Sequence, residues 1–188
     1  MKFNKFLLFL LALGFFQFSF SQFEIPERPT DPEEIKKDFV VYDKIKLLDT
    51  IEKENLRRNL ISYADSTSTQ IVVTIIKSTE GENINYLGAN WLTKWGIGQA
   101  KEDNGIFILL ANKERKIWIA PGYGVEHLIT AGIGGEITRN VIIPEFKKGD
   151  FYSGLDKGSD AIFEVLIGSY QNNKKQENKS EGIPFFAI

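Results

Sequence analysis

The stretch Gly105-Ile106-Phe107-Ile108-Leu109-Leu110-Ala111, broken by Asn112-Lys113-Glu114-Arg115 and resumed as Lys116-Ile117-Trp118-Ile119-Ala120, sets the architecture. The first run is apolar without alternation, the mark of a strand covered on both faces. The second is β-branched and aromatic, and the short polar link between them suits an antiparallel hairpin. Upstream, Thr69 to Lys77 (TQIVVTIIK) has the same two-sided apolar character and reads as another buried strand.

Helical periods surround these strands. Asp49 and Glu52 have capping-box spacing, and Ile51, Leu56, Leu60 and Tyr63 follow at near-helical intervals, so a helix is predicted over about 49–64. Asn83 to Trp95 returns to helix period, with Gly96 and Gly98 as its stop. After Pro121-Gly122-Tyr123-Gly124, the stripe Val125, Leu128, Ile129, Ile133, Ile137 and Val141 predicts a third helix ending at Pro144. A last helix is predicted from Phe151 to Tyr170. Strands buried on both faces need helices on both faces, so the expected fold is an α/β class, three-layer α/β/α sandwich. Its mixed sheet contains the antiparallel hairpin.

The ends of the chain differ from this middle. Lys2 and Lys5, the apolar run Phe6 to Phe16 and small residues before Gln22 have the pattern of a secretory signal peptide, residues 1–21, cut after Ser21. The apolar run is shorter than the roughly 20 residues a membrane span needs. Residues 22–38 carry Pro26, Pro29 and Pro32 among acids, the composition of an extended linker. The domain itself is expected over 39–170, followed by a polar tail, 171–188, of disordered composition. No later stretch reaches transmembrane length, so the processed chain is expected to be periplasmic or secreted, and monomeric.

Composition removes whole classes of chemistry. The 188 residues include no cysteine and one histidine, His127, which excludes thiol nucleophiles, zinc fingers and multi-histidine metal sites. The net charge of −2, with no long basic run, argues against nucleic acid as a partner. No phosphate-binding P-loop or serine elbow occurs. Any metal is therefore a hard cation such as Ca²⁺ or Mg²⁺, held by oxygen.

Two loops carry the residues for that. Because the hairpin returns, the start of its first strand and the end of its second share one sheet edge. Glu102, Asp103, the Asn104 amide and Glu126 are thereby candidates for one oxygen cluster. The competing reading is a plain Asp-Asn-Gly turn. Gly122-Tyr123-Gly124 lacks a full dinucleotide fingerprint, His127 reads as an exposed or capping residue, and Trp91, Trp95 and Trp118 read as core.

Taken in order, Val41-Tyr42-Asp43, Gln70-Ile71-Val72-Val73, Trp95-Gly96-Ile97-Gly98, Asp103-Asn104-Gly105, Gly122-Tyr123-Gly124-Val125-Glu126, Ile143-Pro144-Glu145-Phe146 and Gly149-Asp150-Phe151 resemble the TPM domain. The resemblance implies a Rossmann-like α/β/α sandwich, usually exported or membrane-tethered, whose members have been described as binding divalent cations in loops at one sheet end. A plant relative in photosystem II repair has been described as an acid phosphatase. By position, Asp103 and Glu126 match the family's acids. Thr130 stands where many members have aspartate, which implies a weaker or shifted ligand set using Glu102 or Asp43. The leading expectation is an exported cation-binding protein with an accessory role in envelope protein maintenance or signalling, partnered by an envelope protein. A metal-assisted phosphomonoesterase and a non-catalytic interaction module are the alternatives.

Overall fold

The computed structural model describes residues 23–31 and 39–170. The expected signal peptide, the tail 171–188 and part of the leader lie outside these residues. Four strands, β1 (Val41–Asp43), β2 (Ile71–Ile76), β3 (Ile106–Ala111) and β4 (Lys116–Pro121), form one sheet in the order β1-β2-β3-β4. The first three are parallel, and β3–β4 is the antiparallel hairpin. Helices α1 (Thr50–Thr67) and α2 (Ile84–Trp95) are the crossovers between the parallel strands. Beyond the hairpin lie α3 (Ala131–Ile137), a π-helical segment (Thr138–Ile142), α4 (Ile143–Lys147) and α5 (Phe151–Leu166).

Strand alternation divides the core into two faces. Val73, Ile75, Ile106, Ile108 and Leu110 point to an aliphatic cluster with Leu56 and Leu60 of α1 and Leu155 and Ile162 of α5. Val72, Ile76, Phe107 and Leu109 point the other way, to Leu87, Trp91 and Trp95 of α2. The three-layer sandwich is thus realised. The two crossovers step in the same direction along the sheet yet place α1 and α2 on opposite faces. Opposite faces with the same step mean opposite hands, so one of the two is left-handed, against a strong right-handed rule.

Local chemistry accounts for the helix ends. The Asp49 carboxylate accepts from the Ile51 and Glu52 amides at 2.7 and 2.8 Å, and Glu52 returns the favour to the Asp49 amide. Asn83 caps α2, which stops at Gly96 in a left-handed conformation. The third predicted helix needs correction. Val125 to Ile129 form turns, and α3 begins only at Ala131, with Thr130 as its cap. Pro144 does not end it. A π-helical turn, in which the Ile143 amide donates to the Thr138 carbonyl, carries the chain on, and Pro144 falls in the first turn of α4, where a missing N–H is harmless. The last helix stops at Leu166, and β1, only three residues long, gives too little periodicity to predict.

The described part of the proline-containing leader is extended and lies against α2. Phe23 packs on Trp91 with ring centroids 5.6 Å apart, and the Trp95 indole donates to the Pro26 carbonyl at 2.9 Å. Trp91 and Trp95 are fully buried between this strap and the sheet. Truncating either to alanine costs roughly 3–5 kcal/mol.

Candidate functional site

Three loops meet where β3 begins and β4 ends, and they meet backbone to backbone. The Gly122 amide donates to the Gly105 carbonyl at 2.7 Å, and the Gly124 amide to the Asp103 carbonyl at 3.0 Å. A Cβ at Gly124 would stand 1.8 Å from the Glu102 carbonyl oxygen, and one at Gly105 2.0 Å from that of Ile97. No side chain larger than hydrogen fits either place. From the third loop, Gly98 donates its amide to the Gln70 side chain at 2.9 Å, tying the end of α2 to the start of β2. Asp103 itself has φ +45°, a left-handed conformation that aspartate tolerates better than most residues.

This lock decides where each predicted site residue goes. Asp103 and Glu126 line one groove of about 430 Å³, together with Thr93, Gln99 and Tyr123. Asn104 is committed elsewhere. Its amide nitrogen donates to the Ser68 carbonyl at 3.0 Å and its oxygen accepts from the Gln99 amide at 2.9 Å, so it braces the two loops against each other. Glu102 is exposed and does not line the groove; its main-chain carbonyl, not its carboxylate, is what meets the Gly124 loop.

Asp43 belongs to the opposite end of the sheet. It pairs with Ile75 near the end of β2, whereas Asp103 precedes β3. A strand the length of β2 spans roughly 20 Å. There the Asp43 carboxylate accepts from the Ile45 and Leu48 amides at 3.1 and 2.9 Å and shapes the turn into α1. The five-residue oxygen cluster expected from sequence therefore contracts to two carboxylates. Among the described residues, no group of three or more His, Cys, Asp or Glu side chains comes together as a metal site.

Two further residues shape this end. Arg28, from the leader, donates to the Trp95 and Gly96 carbonyls at 2.7 and 3.3 Å, placing a cation on the negative end of α2 beside the groove. Its guanidinium also covers the Phe39 ring, 4.6 Å from the centroid. Nothing in the local sequence pattern marks Arg28, because its hydrogen-bond partners are more than sixty residues away. Thr130 accepts from the Ile133 amide at 3.3 Å as the α3 cap. Threonine is an ordinary residue for such a cap, and aspartate there would serve at least as well.

With this geometry in view, the TPM domain family model matches residues 41–165, from β1 through nearly all of α5. The chain belongs to the TPM domain family. Three solution structures share the fold. The N-terminal domain of a protein from P. gingivalis is 23% identical, with a TM-score of 0.66, covering 79% of this chain and 96% of that one. The BA42 protein from the psychrophilic bacterium Bizionia argentinensis is 22% identical (TM-score 0.57; 70% and 90% covered). The N-terminal domain of the cg2496 protein from Corynebacterium glutamicum is 17% identical (TM-score 0.55; 79% and 88% covered). No curated protein shows significant similarity. At these identities the likeness speaks for the TPM fold and for nothing finer. No helix among the described residues is long and apolar enough to cross a membrane.

Proposed function

We propose that this TPM domain is an exported, accessory envelope protein that binds a partly hydrated Ca²⁺ or Mg²⁺ at the Asp103–Glu126 groove and recognises its partner there. The observation behind this reading is that these two residues line one groove, on loops that glycines let pack backbone to backbone. Their oxygens suit a hard cation, and two carboxylates with water completing the shell is the way proteins commonly hold Mg²⁺. A fully enclosed protein cage is not what these residues offer, since Asn104 and Asp43 are occupied by main-chain partners. The cation's chemistry at such a site is charge neutralisation and bridging: it would let an anionic group on a partner approach two acids. The exposed Tyr123 ring, 81% accessible beside them, supplies apolar area for the same contact.

An amide-resolved NMR titration with Ca²⁺ and then Mg²⁺ tests this reading. Saturable shifts at residues 102–105 and 122–126, lost in Asp103→Asn, are expected. Shifts that are absent, or unchanged in the variant, would remove the cation from the account.

A further inference from the structure

A second cavity, larger than the acidic groove, lies at the other end of the sheet. It has a volume of about 760 Å³, within the range of small-ligand sites, and opens between the β3–β4 turn and the α4–α5 corner. Its floor is apolar, made by Leu110, Ile117, Ile143, Phe146 and Phe151. Its rim is cationic, made by Lys113, Arg115, Lys116 and Lys147. Among the described residues, no acidic side chain lines it. In a chain of net charge −2, four cations around one apolar hollow are a concentrated exception.

The acids nearest in sequence are turned to other partners. Glu114, in the middle of the turn, accepts from the Ser78 hydroxyl and, at 3.4 Å, from the Thr79 amide. The Ser78 hydrogen bond holds its carboxyl below the usual range, so it stays charged and fixed there. Glu145 takes Lys148 at 3.0 Å and Lys157 at 2.7 Å, leaving Lys147 to the cavity. None of the four rim cations has an ion-pair partner among the described residues. The cavity also lies at the carboxyl end of the parallel strands β2 and β3, the edge where open α/β sheets receive ligands. Asp150, between the lining residues Gly149 and Phe151, is likewise committed: its carboxylate caps α5 by accepting from the Ser153 amide at 2.8 Å.

We propose that this cavity binds a small anionic amphiphile, a phosphate- or carboxylate-headed molecule whose apolar body lies on the Phe146–Phe151 floor while its head meets the Lys113–Lys116 rim. Each half of the site explains one half of the ligand. An inorganic anion leaves the floor in contact with water, and a neutral amphiphile leaves the cations without a counter-charge.

The test is an amide-resolved NMR titration of the protein with octyl phosphate below its micelle concentration, with inorganic phosphate and with octyl glucoside. Saturable shifts at residues 113–117 and 146–151 are expected for octyl phosphate, at least tenfold weaker for the other two probes. The double variant Lys113→Gln/Lys116→Gln, altered only at exposed positions, should keep the wild-type spectrum elsewhere and weaken octyl phosphate at least tenfold. Equal response to inorganic phosphate, equal response to octyl glucoside, or an unweakened double variant would each overturn the proposal. An octanoate arm separates phosphate-headed from carboxylate-headed ligands within the same class.

Discussion

The two ends of the β3–β4 hairpin are built by opposite means. At the acidic end, three loops touch through main-chain atoms, and glycines leave no room for anything between them. Asp103 and Glu126 are carried outward on that rigid base. At the basic end, side chains do the building, and a hollow of about 760 Å³ remains between the turn and α4. One sheet thus presents a tight, acid-bearing edge and an open, cation-bearing edge. Position within the fold, rather than residue type alone, decides which charged side chains remain available to a ligand. Asn104 and Asp43 are polar and close to the right motifs, yet both are consumed by main-chain hydrogen bonds.

Substitution separates the two constructions most sharply. Gly105→Ala places a Cβ against the Ile97 backbone, which cannot yield without moving the loop, and the expected loss is about 3 kcal/mol or more by chemical denaturation. Lys116→Ala, at the other end, should stay within about 0.5 kcal/mol of wild type. Comparable losses in both would erase the distinction.

Within the leader, Arg28 is the residue that reaches the acidic end, so Arg28→Ala should be felt there. Removing its hydrogen bonds to the end of α2 and its contact with Phe39 is expected to cost about 1 kcal/mol in thermal or chemical unfolding. Amide exchange should quicken at Trp95 to Gly98 and not at the β3–β4 turn.

Asp103→Asn should change stability by less than about 0.5 kcal/mol, because asparagine also accepts the left-handed backbone found there. The same substitution should abolish cation-induced shifts. A large stability loss would instead assign Asp103 to the frame of the loop.

The smallest effect concerns Glu145, whose carboxyl is held below its ordinary value of 4.5 chiefly by the Lys157 hydrogen bond and then by that of Lys148. A carboxylate with a depressed folded-state pKa stabilises the fold above the unfolded value and loses that contribution as pH falls through the folded one. The melting temperature of wild type should therefore slightly exceed that of Glu145→Gln at pH 7, with the gap closing below about pH 4. A gap that persists at pH 3 would show that glutamine loses packing rather than charge.

Much of the architecture is legible from the residues. Asp49 with Glu52, Asn83 with Gly96, and the uninterrupted apolar β3 are local signals that report local structure, and each is realised in the fold. The Val125–Val141 stripe misleads because helical spacing of apolar residues also arises when a turn and a helix bury neighbouring positions. Ile129 is buried from the turn and Ile137 from α3. Pro144 misleads because a π-helical turn can precede it. In the site, hairpin geometry foretells that the Asp103 and Glu126 loops adjoin. It cannot foretell that Asn104 would brace Ser68, that Asp43 would lie across the sheet, or that Arg28 would reach α2, since these depend on contacts between distant segments.

The most direct test of two oppositely charged ends is one spectrum read under two titrations, Mg²⁺ or Ca²⁺ in the first and octyl phosphate in the second. The account predicts cation shifts at residues 102–105 and 122–126 and amphiphile shifts at residues 113–117 and 146–151, with no exchange of places. Both ligands moving the same amides, or either moving the end assigned to the other, would contradict it.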